Sequence, residues 1–278
     1  MLRLLTIELH KLRYNRAAKV ISIVYFVLIT FIALISSIEF NFGDFHFRVA
    51  DQGIFNFPYI WHFNTYIAAI LKLFLAIVIV SMVSNEYSYR TLKQNLIDGL
   101  SKKEFILSKF LTVLLFAAIS TVFIFLVSLI LGLMFSDYTE IGIIFSGLQY
   151  IGAYFLKLVA FFSFCLFLGI LVKRSAFALG FLIVWQVIEW LVYGLLKWKI
   201  FKDTEIADHV ATVFPLNSMA NLIKEPFSRL GAIQSAANQL GEGFSKTYEV
   251  GYLNILIVLL WTAFFIYASY AILKRRDL

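Results

Sequence analysis

The sequence predicts an all-α integral membrane protein with six transmembrane helices in one domain, residues 1–278. Hydrophobic residues make up 61% of the chain and charged residues 15%, whereas soluble domains carry about 25% charged residues. Six apolar stretches each reach the ~20 residues that cross ~30 Å of hydrocarbon. All three prolines lie outside these stretches, which favours largely unbroken helices. The predicted spans are residues 20–38, 63–84, 110–135, 149–172, 176–198 and 252–273.

Lysine and arginine predict the orientation. The N-terminal segment, the connections between spans 2 and 3 and between spans 4 and 5, and the chain end together carry 15 basic and 5 acidic side chains. Cytoplasmic connections of membrane proteins carry such an excess, so both termini are predicted to be cytoplasmic. The net charge of +7 then reflects topology and contact with anionic membrane lipid. Nucleic-acid binding is not expected, because no large soluble face remains.

Residues 2–16 are predicted to form an interfacial helix. Leu2, Leu5, Leu9 and Leu12 fall on one helical face, which suits a helix lying flat on the inner leaflet. A positively charged flank that only sets the topology is the alternative.

The connection between spans 2 and 3 predicts a rigid elbow. Glu86 and Arg90 are spaced for an i,i+4 pair, so span 2 is expected to continue into the cytoplasm. Gly99 suits the C′ position that ends such a helix. Ser101 and Glu104 form a capping box, S-x-x-E, that starts the next helix. An ordinary capped hairpin between two spans fits the same residues.

Three charged residues lie inside the spans: Lys72, Lys157 and Glu189. Each costs about 2.5–3.5 kcal/mol at a span centre, so such residues usually face the bundle interior and pair. We favour a Glu189–Lys157 pair, because a tight turn makes spans 4 and 5 neighbours. The three lie at similar depths from the inner ends of their spans and could therefore meet in one layer. This layer is either part of a translocation path that contacts an anionic substrate, or a structural ion pair beside a snorkelling lysine.

The two long outer connections are predicted to rest on the membrane surface. Residues 39–62 are rich in aromatic side chains, which gather at membrane interfaces. Residues 199–251 contain two short amphipathic pieces, about Leu216–Lys224 and Phe227–Leu240, which are expected to lie on or dip into the outer leaflet.

No catalytic, cofactor or metal pattern stands out. The stretch Gly241–Thr247 lacks the glycine that a P-loop places before its lysine. The four histidines lack metal-ligand spacing, and neither G-x-S-x-G nor H-E-x-x-H occurs. We therefore expect no enzyme activity, no cofactor and no metal.

The layout and motifs of the whole chain resemble the permease subunits of type-2 ABC exporters, the drug-, bacteriocin- and sodium-exporting kind. The chain is also similar to permeases linked to gliding motility in Bacteroidota. The resemblance rests on six spans, a basic N-terminal helix and a short basic tail, residues 274–278. The matching motif residues are Glu8, Lys11, Glu86, Thr91, Gly99, Ser101, Lys102 and Lys109. The chain departs from the pattern at Arg90, where a glycine often stands, and in its long outer segment before span 6.

The resemblance implies a bacterial plasma (inner) membrane permease without an ATPase of its own. Its partners would be a cytoplasmic ABC ATPase and a second permease copy, identical or related. The elbow at residues 85–104 would be the coupling helix. The ATPase-coupling residues would be Glu86, Arg90, Thr91, Gly99, Ser101, Lys102 and Glu104. Lys72, Lys157 and Glu189 would line or brace the central region.

Two other functions stay open. An ion-coupled secondary transporter would use the intramembrane charges, although the sequence shows no broken helix or inverted repeat. A non-transporting scaffold would anchor an assembly or transmit force from an ATPase. The substrate, and whether the permease pairs with itself or with a sister chain, are also open.

Overall fold

The structure is a computed structural model that describes residues 2–42, 45–48, 53–202, 205–230, 233–234 and 248–276. Helices dominate it. The longer helices are α1 (Leu2–Tyr14), α2 (Arg16–Ser37), α3 (Tyr59–Ile70), α4 (Lys72–Ser88), α6 (Lys102–Phe135), α8 (Gln149–Val172), α9 (Ser175–Leu195) and α12 (Tyr252–Arg275). The shorter ones are α5 (Thr91–Ile97), α7 (Ile141–Ile144), α10 (Ile206–Ala211), α11 (Pro215–Asn221), a π-turn at Leu196–Ile200 and a 3₁₀ turn at Phe227–Arg229.

Within these ranges, five helices are long and apolar enough to cross a membrane, namely α2, α6, α8, α9 and α12. Helices α3 and α4 make a sixth only if they count as one span, because they meet at a 45° bend. The chain is thus a mainly helical protein with several candidate membrane spans. We call the end of the bundle that carries α1 and α5 the inner end, and the opposite end the outer end.

The prediction of unbroken spans is wrong at Leu71, where α3 ends and α4 begins. The two halves have different neighbours: α3 packs on α6 and α8, whereas α4 packs on α2, α8 and α9. Trp61 of α3, for example, stacks on Phe125 of α6 at 5.4 Å. Proline and glycine are both missing at this point of the sequence, so the break follows from tertiary packing and carries no local signal.

Helix α8 forms the centre of the bundle and contacts α3, α4, α6, α9 and α12. Its side chains are buried nearly all round, including Leu158, Phe162 and Cys165. Helices α2, α9 and α12 instead expose many apolar side chains to the outside, as expected for helices that face lipid.

The first outer connection differs from the prediction in two ways. It contains a two-stranded antiparallel hairpin, β1 (Glu39–Phe42) with β2 (Phe45–Arg48), in which Phe42 is paired with Phe45. Three of its aromatic residues, Phe55, Phe57 and Trp61, are buried in a second core against α6. They therefore pack inside the protein and do not rest on the membrane surface.

The second outer connection contains less helix than predicted. Helix α11 ends at Asn221 and does not reach Lys224. The predicted helix Phe227–Leu240 begins as a 3₁₀ turn, and most of its remainder lies outside the described residues.

Gly132 of α6 makes room for Phe57. A Cβ at this position would lie closer than 3.0 Å to three atoms of the Phe57 ring. We expect Gly132→Ala to destabilise the protein by about 1–3 kcal/mol, because the ring is held inside the second core. Thermal unfolding in detergent measures this. Gly142→Ala is the matched control, since a Cβ there meets nothing within 4 Å, and an equal loss in both variants would contradict the explanation.

Candidate functional site

A cluster of four charges, three of them buried, lies at the inner end of the bundle. The Lys109 ammonium of α6 is 2.6 Å from a carboxylate oxygen of Glu8 on α1 and 2.6 Å from one of Glu86 on α4. Lys109 is 0% exposed, Glu8 2% and Glu86 3%. Lys11 completes the group at 2.8 Å from Glu86. We call these residues the inner charge cluster.

The inner charge cluster is electrically balanced, with two ammonium and two carboxylate groups. Balance matters because an unpaired charge is costly to bury. Neutral side chains donate further hydrogen bonds to the Glu86 carboxylate. The Thr91 hydroxyl donates to Glu86 at 2.5 Å and the Asn95 amide at 3.3 Å. The cluster thereby ties together α1, α4, α5 and α6.

The predicted pairing of Glu86 with Arg90 is wrong. Arg90 has a left-handed backbone (φ 57°) and stands between α4 and α5, so the two residues do not share one continuous helix. The Glu86 carboxylate instead turns to Lys109 and Lys11, while Arg90 is exposed. Lys109 and Lys11 come from distant parts of the chain, which the i,i+4 rule does not consider.

The elbow has two breaks, at Arg90 and at Gly99. Gly99 has φ +95°. Its N–H donates to Leu96 O at 3.2 Å, and Leu100 N–H donates to Asn95 O at 3.0 Å, which is the Schellman arrangement expected of a C′ glycine. The helix that Gly99 ends is therefore the short α5, and span 2 does not continue to this point.

The predicted capping box is present. The Ser101 hydroxyl accepts from Glu104 N–H at 3.2 Å, and the Glu104 carboxylate accepts from Ser101 N–H at 2.9 Å. Helix α6 therefore begins at a fixed point directly after the Gly99 turn, which holds α5 between two defined ends.

Arg276, which follows α12, also docks at the inner end. Lys102 donates to the Arg276 carbonyl at 2.7 Å. The Arg276 guanidinium in turn donates to Ile170 O at 2.6 Å and Leu171 O at 3.1 Å, near the C-terminus of α8. Positive groups suit this position, because the last carbonyls of a helix lack partners and carry partial negative charge.

The buried face of α1 differs from the predicted one. Leu4 and Glu8 are buried, whereas Leu9 is 42% exposed. Glu8, Lys11 and Lys109 all match the ABC-permease motif, but their spacing along the sequence does not predict that they contact one another. The sequence signal that points to a buried charge here is Glu8 itself. This carboxylate lies four residues after Leu4 and four before Leu12, within an apolar stripe of the helix.

The model of one protein family, described as "Protein of unknown function (DUF2705)", matches residues 20–278. The chain belongs to this family. Glu86 and Lys109 lie within the matched region, and Glu8 and Lys11 precede it. A search of curated proteins finds no match.

In this DUF2705 chain the intramembrane charges do not pair as predicted. Glu189 of α9 accepts from the N–H groups of Leu216 and Asn217, both at 3.0 Å, at the start of α11. Lys157 of α8 donates to Ala220 O at 3.4 Å and, at the limit of hydrogen bonding, lies 3.5 Å from Ile223 O.

Glu189 and Lys157 therefore hold opposite ends of one short helix. A carboxylate suits the N-terminus of a helix and an ammonium its C-terminus, because the peptide dipoles point that way. Lys72, the third charge, lies 4.6 Å from the centre of the Phe161 ring, a cation–π distance. Each of the three charges uses a different kind of partner.

A second ion pair lies at the outer end. Lys197 is 3.2 Å from Asp208 of α10, and the Tyr193 hydroxyl also donates to this carboxylate. The hydrogen bond from Tyr193 holds the pKa of the Asp208 carboxyl below its usual range, and Lys197 adds to this effect. Both partners are about half exposed, so the pair contributes little to stability.

Proposed function

We propose that this protein is the membrane-spanning permease subunit of an ATP-driven ABC exporter in a bacterial inner membrane, with both termini cytoplasmic. The observation that carries the proposal is the attachment of α5 to the inner charge cluster. Glu86 bonds both to Thr91 and Asn95 of α5 and to Lys109 of α6. A displacement of α5 would therefore also displace the helices that cross the membrane.

The exposed face of α5 suits a docking role. Lys93, Gln94 and Ile97 point away from the protein, and Ile97 is 69% exposed. Ile97 is the last residue of α5, and a large apolar side chain exposed on a rigidly held polar helix suits an anchor in a protein interface. We assign this face to a cleft of a separate cytoplasmic ABC ATPase, with Arg90, Lys102 and Glu104 flanking it.

The proposed mechanism has two states. ATP binding in the partner closes the ATPase dimer and moves α5, and the inner charge cluster moves α1, α4 and α6 with it. A second permease copy, identical or related, completes the path. The protein itself supplies no catalytic group to ATP hydrolysis in this scheme.

Purification from the native membrane in mild detergent tests the proposal. We expect the tagged wild type to retain a soluble ATPase, and Ile97→Asp to lower its recovery about tenfold or more, because a buried anchor becomes a charge. Ile141→Asp is the matched control, since Ile141 is 74% exposed and lies at the outer end. A wild type that purifies without an ATPase, or equal recovery in both variants, would contradict the proposal.

The bend at Leu71 favours one alternative, an ion-coupled secondary transporter. Discontinuous helices form the ion sites of many such proteins, and Lys72 is the first residue after the break. In that case the purified protein alone, in proteoliposomes, accumulates substrate under an ion gradient and Lys72→Met abolishes this. The ABC proposal instead requires the ATPase and ATP.

A further inference from the structure

The outer half of the bundle contains a polar cleft of about 400 Å³ that has no place in the proposed coupling mechanism. Helices α9, α10, α11 and α12 all contribute to its walls. Four of the lining side chains are uncharged amides: Gln186, Asn217, Asn221 and Asn254. We call it the amide cleft.

All four amides have unused hydrogen-bonding groups. Gln186, Asn221 and Asn254 make no side-chain hydrogen bond to the described part of the chain, although each is partly buried. The fourth, Asn217, donates its amide nitrogen to Ala211 O at 2.7 Å, which leaves its oxygen. An amide offers two donors and an acceptor, and the unpaired atoms of these amides are not sealed off, since Ser84 Oγ is the only fully buried side-chain polar atom without a partner in the described residues. The cleft therefore suits a ligand that both donates and accepts hydrogen bonds.

Aromatic rings complete the cleft. Trp190 and Tyr193 of α9 lie one turn apart and both line it, and Trp190 is 72% exposed. A sugar ring packs its C–H face on such rings while its hydroxyls bond to planar amides, so aromatic and amide groups together fit a polyhydroxyl ligand.

Charge argues against a phosphate. The lining residues include the carboxylates of Glu189 and Asp208 and the ammonium of Lys224, and Lys197 pairs with Asp208 from outside the lining, so the cleft has no excess positive charge to bind an anion. Helices α9 and α12, which form two of the walls, are mostly exposed on their apolar sides. A polar cleft between two lipid-facing helices is accessible from the membrane.

We infer that the amide cleft binds a neutral sugar, carried as the headgroup of a glycolipid. Gln186, Asn221 and Asn254 bond the sugar hydroxyls, and Trp190 supports the ring. This role is independent of the proposed ATPase partner, since the cleft lies at the opposite end of the bundle from α5.

Native mass spectrometry of the full-length protein tests this inference. The protein is purified in a detergent without sugar groups and exchanged into micelles with equal amounts of a neutral diglycosyl diacylglycerol and phosphatidylglycerol. We expect the wild type to retain the glycolipid in preference. Gln186→Leu with Asn254→Leu lowers the retained ratio about tenfold, because two hydrogen bonds are lost.

Two further variants distinguish a loss of glycolipid binding from misfolding of the protein. Trp190→Leu changes an exposed side chain and is expected to lower the same ratio, whereas Gln149→Leu, an exposed amide outside the cleft, leaves it unchanged. Displacement of the glycolipid by a free disaccharide assigns recognition to the sugar alone, and its persistence shows that the lipid chains contribute. Equal retention of both lipids by the wild type, or a wild-type ratio in both cleft variants, overturns the inference.

Discussion

Lys109→Met is expected to destabilise the protein by about 3–5 kcal/mol, because it leaves two buried carboxylates without their shared cation. Lys109 is fully buried and lies 2.6 Å from both Glu8 and Glu86. Lys11 pairs with Glu86 at 2.8 Å and with Glu8 at 3.8 Å, but its side chain is 34% exposed, so it compensates for the loss of the buried Lys109 only in part. Thermal unfolding of the purified protein in detergent measures the loss. Lys103→Met, an exposed lysine on the same helix, is the matched control and should be nearly neutral.

Removing the whole set of buried charges separates a charge effect from a packing effect. The triple variant Glu8→Gln, Glu86→Gln, Lys109→Met buries no unpaired charge, so we expect it to recover much of the stability lost in Lys109→Met. A triple variant as unstable as the single one would show that the shape of the lysine matters and its charge does not. If the coupling proposal is right, the recovered protein still binds the ATPase but hydrolysis is no longer linked to transport.

Much of the fold was predictable because membrane spans and helix ends carry local signals. Helix α8 begins and ends at the predicted residues, 149 and 172. The Ser101–Glu104 capping box and the Gly99 turn were also readable, since each depends on residues within one or two turns. The bend at Leu71 was not readable, because different neighbours on its two sides produce it.

The contacts of the charged residues were harder to predict than their importance. Glu86, Lys157 and Glu189 were all identified from the sequence, and each partner assigned to them was wrong. Sequence spacing considers only neighbours on the same or an adjacent helix. Glu86 in fact bonds residues 75 positions before it and 23 after it. Glu189 and Lys157 use backbone groups of α11, which no side-chain pattern reveals.

Glu189→Leu is expected to release the start of α11. The Glu189 carboxylate accepts from the N–H groups of Leu216 and Asn217, and each donor left unpaired in a buried place costs about 1–3 kcal/mol. Hydrogen exchange of the α11 amides in detergent measures this directly. Glu140→Leu is the control, because Glu140 is the N-cap residue of another short helix, α7, but makes no side-chain capping bond. Faster exchange confined to α11 in Glu189→Leu is the expected result.

A double variant then tests whether Glu189 and Lys157 act on the same helix. Lys157→Met removes the ammonium at the far end of α11, so we expect it to speed exchange of the same amides. If both charges stabilise α11 as one unit, the double variant exchanges little faster than the more affected single variant, because a helix already released has nothing further to lose. Fully additive effects would mean that the two charges stabilise separate elements. Their opposite signs at opposite ends of α11 would then be unrelated to the helix dipole.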